Sequence, residues 1–293
     1  TLSKTVADCR RLLTDDVTDQ LEGTFGLYHD GTMLPPERLT HLNPGQTASA
    51  RALRDLLDHY TVLATGDEDK RRKAAFERLV LEISFTVLNR LAALRLCEER
   101  GLIVECVRKG TASDGFRMYE SLAGGALGSR YDTYRTFLEC MFDELAVDLG
   151  VLFDRTTPTS TIFPSESCLK DVLDLLNAGN IAPLWKEDET IGWIYQYFNP
   201  KEERDEMRKA NRSPRNTREL AVRNLQPVGV DVVEAQLCLQ NVAEVVEAAR
   251  DDADLVAQAL ERAGHLFGTV HERQPRADLD QHGFVQTGQQ GHA

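Results

Sequence analysis

The feature that most constrains the fold is an apolar repeat in the first third of the chain. The repeat consists of Phe76, Leu79, Val80, Ile83, Val87, Leu91 and Leu94. A spacing of three or four residues predicts one long helix with a wide buried face. Gly101 suits a left-handed cap after this helix, and Leu102 can close the hydrophobic contact beyond the cap. We therefore predict that the helix ends near Arg100 and contributes to the core.

Three polar residues, Asn89, Arg90 and Arg95, lie within the same apolar repeat. Because the apolar face is wide, at least one of them is expected to be partly buried. A buried polar group costs free energy unless it has a hydrogen-bond partner. We therefore predict a structural ion pair with Glu98 or Glu99.

Four further segments carry apolar residues at helical spacing. They are residues 1–22, residues 47–63, residues 131–149 and a segment that begins after Ser165. Ser165 is a predicted N-cap, and Asn177 with Gly179 is predicted to end that last helix. Gly150 is predicted to cap the helix of residues 131–149.

The segments between these helices lack a regular repeat. Residues 23–44 are rich in Gly, Pro and His and are predicted to be irregular. Residues 105–130 are predicted to be a loop, with a flexible turn at Gly124-Gly125. No strand is predicted before residue 190. The predicted fold class is mostly α, an N-terminal helical bundle with a divergent C-terminal helical or disordered tail.

The net charge limits the partners that the whole surface can attract. The chain has 293 residues and a formal net charge of -13, which argues against general attraction to nucleic acid. Any DNA contact must therefore come from a local patch of Lys and Arg. No apolar run approaches the roughly 20 residues that a membrane helix needs, and the sequence starts without a signal-peptide pattern. We expect a cytoplasmic protein with no membrane partner.

The cysteine and histidine residues do not predict a metal site. None of the six cysteines has a neighbour at metal-ligand spacing, so reduced thiols are expected. The separations between His29, His41 and His59 match no pattern of metal ligands, so surface histidines are expected.

The sign of the charge reverses locally between residues 207 and 224. This stretch holds six basic residues and one acidic residue, Glu219. The basic residues, called the basic run below, are Arg208, Lys209, Arg212, Arg215, Arg218 and Arg223. An aromatic cluster precedes them, made of Trp193, Tyr195, Tyr197 and Phe198. The basic run is the candidate DNA contact, and the alternative is a solvated charged helix with internal pairs such as Asp205 with Lys209.

Two stretches resemble one family of enzymes. Residues 84–103, SFTVLNRLAALRLCEERGLI, resemble the N-terminal helical segment of large adenine-specific DNA methyltransferases. Residues 189–224, which contain IGWIYQYFNPKEERDEMRKANRSPRNTRELAVRN, resemble the segment just ahead of the catalytic domain in methyltransferases of BREX-type phage defence. Related restriction-modification enzymes share this segment. The resemblance runs loosely over residues 1–224.

The resemblance implies a division of the chain and a set of partners. Residues 1–180 would be a helical N-terminal domain, and residues 181–224 would be the connector to a methyltransferase domain. The basic run would contact DNA phosphates, and the aromatic cluster would pack the domain junction. Other subunits of a defence system are further expected partners. The full-length family uses S-adenosylmethionine, whereas no cofactor is expected in this chain.

The sequence departs from the family after Asn224. There the family continues with an aromatic-Thr-Pro sequence, but this chain continues with Leu225-Gln226-Pro227. Methyl transfer to adenine N6 needs a Gly-rich cofactor loop and an Asp/Asn-Pro-Pro-aromatic motif around the flipped base. The pairs Asn43-Pro44 and Asn199-Pro200 lack the second proline and the aromatic residue. No catalytic residue is therefore assigned, and the chain is expected to be inactive alone.

Composition also changes at about residue 225. Residues 225–293 contain nine glutamines, against three in residues 1–224. We treat residues 225–293 as an unrelated tail, and a frameshift that truncated the methyltransferase is one hypothesis for its origin. A second functional hypothesis is a non-catalytic helical interaction or oligomerisation module, in which residues 231–263 form the associating helix. An independent hydrolase or metalloenzyme has no motif to support it.

Overall fold

The computed structural model describes residues 1–187 and 190–198, and this part of the chain is mostly helical. Its seven α-helices are α1 (Leu2–Gly23), α2 (Pro44–Leu63), α3 (Glu68–Glu99), α4 (Asp114–Ala123), α5 (Arg130–Phe153), α6 (Glu166–Leu176) and α7 (Thr190–Phe198). Short 3-10 helices cover Pro36–Arg38, Gly110–Ala112, Pro158–Ser160 and Ala182–Lys186. The described residues contain no strand, and one isolated bridge joins Leu27 and Met33. The mostly α prediction is confirmed.

Helix α3 is the longest of the described elements, with 32 residues. The Asp67 side chain caps its start by accepting a hydrogen bond from the Lys70 amide. At its end Gly101 has a φ of 70°, and the Leu102 amide donates to the Cys97 carbonyl. This arrangement is the predicted left-handed cap. The apolar repeat therefore formed the predicted helix, which packs against α1, α2, α5 and α7.

The two ends of α3 contribute to two hydrophobic clusters. Its first half packs with α2 and the second half of α1 around Phe76, Leu79 and Ile83. Its second half packs with the first half of α1 and with residues from α4 to α7. Helix α3 alone could not bury either cluster. Because it contributes to both, it sets where the other six described helices pack.

The prediction of a loop at residues 105–130 is wrong, because α4 lies within it. Phe116 and Tyr119 occupy one face of α4 and are buried, with the Phe116 ring edge-on to Tyr134 of α5. Gly115 permits a close approach, since a Cβ there would lie 2.7 Å from the Glu105 carbonyl oxygen. Gly124 ends the helix in the left-handed conformation.

The prediction that the helix ends at Leu149 with Gly150 as its cap is correct about the position of a break and wrong about the end of the helix. The backbone leaves the helical region at Leu149, with φ of −127° and ψ of 45°, and then resumes a helical course to Phe153. The Asp154 amide donates to the Gly150 carbonyl across 2.7 Å and ends the helix. Leu152 and Phe153 are buried, which explains why the chain continues past the glycine. The predicted caps of α6, Ser165 and Asn177, are confirmed.

Candidate nucleic-acid interface

The basic run lies outside the described residues. The structure therefore does not test its contact with DNA. The described part ends with α7, at the residue immediately before Asn199-Pro200. Helix α7 is therefore the described element nearest to the basic run along the sequence.

The members of the aromatic cluster differ in how deeply α7 buries them. Phe198 is 1% exposed and packs in the core, with its ring centroid 4.9 Å from that of Phe85 in α3. Trp193 is half-buried against the same cluster, whereas Tyr197 is 37% exposed. The side chain of Tyr195 lies outside the described residues. Packing of the cluster against a further domain stays a prediction.

Arg10 of α1 holds the end of α7. Its Nη1 donates to the Phe198 carbonyl oxygen across 2.7 Å, and its guanidinium lies 5.3 Å from the centre of the Phe198 ring. A cation at a helix C-terminus interacts favourably with the helix dipole and satisfies a terminal carbonyl. Sequence reasoning missed Arg10, because the two residues are 188 positions apart.

The segment just before α7 is also part of the core. The Trp185 side chain is fully buried, and its Nε1 donates to the Leu176 carbonyl across 2.8 Å. The Thr190 hydroxyl donates to the Leu184 carbonyl at the start of α7. The described part of the predicted connector therefore packs into the same hydrophobic cluster as the helices before residue 180.

Two of the three polar residues singled out in α3 make extensive contacts. Arg95 pairs with Glu99 at 2.8 Å, and its Nε donates to the Asn177 side chain across 3.0 Å. The predicted ion pair is thus confirmed for Arg95 and Glu99. Arg90 instead donates to the carbonyls of Leu152 and Asp154 and to the Ser160 hydroxyl.

Burial affects the charge on Arg90. Its side chain lies at the C-terminus of α5, and burial together with repulsion from Arg155 lowers its pKa to about 10. The residue therefore remains protonated at neutral pH.

The Nδ2 atom of the neighbouring Asn89, which is 1% exposed, has no hydrogen-bond partner in the described part of the chain.

Glu98 organises the loop after α3. Its carboxylate accepts hydrogen bonds from three consecutive backbone amides, those of Cys106, Val107 and Arg108. Burial raises the pKa of Glu98, and the three amides partly offset that rise. Glu98 and Glu99 were both candidate ion-pair partners, and the structure gives each a different role.

The described residues hold no candidate metal centre, since no group of three or more His, Cys, Asp or Glu side chains could bind one ion. The described cysteines are free thiols. Burial raises the pKa of both Cys9 and Cys97 to about 12, so neither thiol is activated as a nucleophile. His29 is a surface residue that contacts Glu22. Cys238 lies outside the described residues.

One small cavity lies between α3, α5 and the segment after α5. It is lined by Arg90, Glu139, Arg155 and Ser160 together with apolar side chains. Its volume of about 10 Å³ has room for about one water molecule. A cofactor the size of S-adenosylmethionine does not fit there.

The pair Asn43-Pro44 stands at the start of α2. Asn43 caps α2: its side chain accepts from the Gln46 amide, and the Gln46 side chain bonds back to the Asn43 amide. This reciprocal pattern is a capping box with Pro44 at the first helical position. Asn43-Pro44 thus has a structural role, while Asn199-Pro200 lies outside the described residues.

No described helix is long and apolar enough to span a membrane. This finding concerns residues 1–187 and 190–198 only.

Comparison with known proteins bears on the resemblance to DNA methyltransferases. No protein-family model, curated protein or solved structure matches this chain. The resemblance therefore rests on the two stretches quoted above.

Proposed function

We propose that the helices of residues 1–198 form an accessory domain of an N6-adenine DNA methyltransferase of the phage-defence type. In this proposal the domain holds the basic run against DNA phosphates. The observation that carries it is the docking of α7, whose last residue, Phe198, is fixed in the core just ahead of the basic run. Docking of Phe198 fixes the point from which the chain continues toward the basic run, which begins ten positions further along the sequence.

The distribution of charge along the sequence supports a DNA contact that is confined to the basic run. Residues 1–198 contain 31 acidic and 22 basic residues, so the helical domain as a whole repels a polyanion. Several of its arginines are also occupied, because Arg54 and Arg90 donate to main-chain carbonyls and Arg155 pairs with two carboxylates. The excess of basic residues between 207 and 224 is therefore the part of the sequence best suited to phosphates.

The chemistry expected of such a domain is positioning. Lys and Arg contacts to phosphates fix the register of a protein on DNA and carry no base recognition by themselves. Methyl transfer would come from a domain that binds S-adenosylmethionine and the flipped adenine.

A charge-reversal titration tests the proposal. Arg212→Glu combined with Arg215→Glu is expected to weaken binding to a fluorescein-labelled duplex. It should also reduce the slope of log Kd against log salt concentration by about 2, because each phosphate contact contributes about 0.9. Fluorescence anisotropy at several salt concentrations measures both quantities.

The matched control is Arg51→Glu combined with Arg117→Glu. These two side chains are each 63% exposed, and the change in net charge is the same. The control should alter the slope far less than the reversal in the basic run. Equal effects of the two double variants, or unchanged binding by both, would reject the basic run as the DNA contact.

A second candidate function is a helical interaction or oligomerisation module. The observation in its favour is the outer face of α4, where Met118 and Leu122 lie one turn apart and are 49% and 56% exposed. Association that depends on concentration would support this role, and its loss when residues 225–293 are deleted would place the contact in the tail and not on α4. Sedimentation velocity measures it, and a monomer at every concentration would count against it.

A further inference from the structure

The cavity between α3, α5 and the segment after α5 has a buried guanidinium group on its wall. Arg90 is 5% exposed, and its Nε and Nη2 atoms donate to two main-chain carbonyls and to the Ser160 hydroxyl. Its Nη1 atom makes no hydrogen bond within the described residues. Because Arg90 lines the cavity, Nη1 is the donor that remains for a ligand there.

The charge of Arg90 has no carboxylate partner in the described part of the chain. Each group that accepts a hydrogen bond from it is neutral. The Asp154 carboxylate attracts Arg90 only from a distance, since it accepts from the Thr156 amide and hydroxyl at 2.7 Å each. A buried charge is costly without a counter-charge. An anion beside Arg90 would therefore stabilise the fold.

The other charged side chains around the cavity pair with one another. The Glu139 carboxylate accepts from Arg135 at 2.7 Å and from Arg155 at 2.8 Å. Arg155 also donates to Asp143 at 2.7 Å. These four side chains carry two positive and two negative charges, so the positive charge of Arg90 remains uncompensated.

The size of the cavity limits the anion that it can hold. Its volume of about 10 Å³ suits a single particle of about the size of a water molecule. A chloride ion is only slightly larger than water, whereas phosphate and organic anions are much larger. The Arg155 side chain is 32% exposed and Phe163 is partly buried, so this side of the cavity lies near solvent.

We propose that the cavity binds a chloride ion, which serves as the counter-ion of Arg90. The donors to the ion are Nη1 of Arg90 and Nε of Arg155, which also makes no hydrogen bond within the described residues. Apolar side chains, among them Val87 and Phe142, complete the wall and strengthen the attraction by lowering the local dielectric constant. The ion links α3 to the segment after α5. This site does not depend on the proposed contact with DNA.

Chloride-dependent stability of the full chain tests the proposal. Urea denaturation is followed at constant ionic strength while sodium chloride replaces sodium gluconate, whose anion is too large for the cavity. The unfolding equilibrium constant should fall about tenfold between no chloride and about 100 mM chloride, as for a dissociation constant of about 10 mM. Equal stability of the wild-type chain in the two salts would overturn the proposal.

Two variants separate a specific site from a general effect of the salt. Arg90→Met should lose the dependence on chloride altogether. Arg54→Met is the matched control, because Arg54 also donates to main-chain carbonyls and does not line this cavity. The control should keep the tenfold effect. An Arg90→Met variant that responds to chloride as strongly as the wild type would overturn the proposal.

A crystal of the wild-type chain grown in sodium bromide gives a test that needs no variant. Bromide replaces chloride and is identified by its anomalous scattering, and its peak should lie within hydrogen-bond distance of Arg90 Nη1. Electron density for a water molecule without an anomalous signal would overturn the proposal. A bromide peak without chloride-dependent stability would mark an adventitious ion only and would overturn it as well.

Discussion

Arg90 and Arg95 lie little more than one turn apart on α3, are both buried, and have different kinds of hydrogen-bond partner. Arg90 has hydrogen bonds to two main-chain carbonyls and a hydroxyl at the end of α5. Arg95 has a carboxylate partner, Glu99, within its own helix. The hydrogen bonds of Arg90 all go to distant segments, whereas Arg95 combines the local ion pair with a hydrogen bond to the distant Asn177.

The difference shows how the same residue type serves two purposes. Arg90 supplies donors at a helix C-terminus, where main-chain carbonyls lack partners. Arg95 is neutralised by a neighbouring charge and also stacks near Trp185, at 5.6 Å from the ring centre. Removing Arg90 should therefore disturb the chain between α5 and α6, whereas removing Arg95 should disturb the end of α3.

The largest effect is expected for Arg90→Met. The variant leaves the buried Leu152 carbonyl without its donor and removes the link to Ser160, so the free energy of unfolding should fall by about 3 kcal/mol. Chemical denaturation measures the change. Arg155→Met is the control on the same cavity, and its partly exposed ion pairs should contribute about 1 kcal/mol. An Arg90 variant no less stable than the control would contradict this account.

A smaller effect is expected for Arg95→Met. Glu99 loses its partner but is near enough to the surface to be hydrated, so the loss should be about 2 kcal/mol. Arg72→Met is the matched control, since Arg72 and Glu68 have the same four-residue spacing on the exposed start of α3. That variant should cost less than about 0.5 kcal/mol. If Arg95→Met proved more destabilising than Arg90→Met, the comparison would be reversed.

The smallest expected effect is a pH dependence of the free energy of unfolding that comes from Glu99. Burial pushes the pKa of Glu99 upward, but the hydrogen bond and charge of Arg95, with two nearby cations, outweigh burial and lower the pKa overall. A lowered pKa stabilises the fold above the unfolded value of about 4.3, and this contribution is lost as pH falls through the folded pKa. The stability difference between the wild type and Glu99→Gln should therefore shrink below about pH 4. A difference that grows on acidification would contradict the direction of the shift.

The contacts of Arg95 and Arg90 show which interactions could be predicted from the sequence and which could not. The pair of Arg95 with Glu99 was predicted because both residues lie on one helix, where spacing determines proximity. The partners of Arg90 lie 62 to 70 positions away, and no local pattern indicates them. The contact between Arg10 and Phe198 was missed for the same reason.

Helix α4 was missed although some signals were present. Phe116 and Tyr119 have helical spacing, and Gly124 is a suitable cap, but the helix has only ten residues. A glycine-rich stretch with Gly124, Gly125 and Gly128 follows its short apolar pattern, and such a stretch favours a loop. The packing of Phe116 against Tyr134, which no local rule predicts, outweighs that preference.

The length of α3 also limits how the domain can be divided. Cleavage of the backbone in the turn between α2 and α3 would separate α1 and α2 from the helix that covers their apolar faces. The remaining piece would carry the exposed first half of α3. Neither fragment could complete its own hydrophobic cluster, so the two would acquire stable structure only by complementing each other. Disruption of either cluster should therefore destabilise the whole of α3. The described helices should behave as one cooperative folding unit.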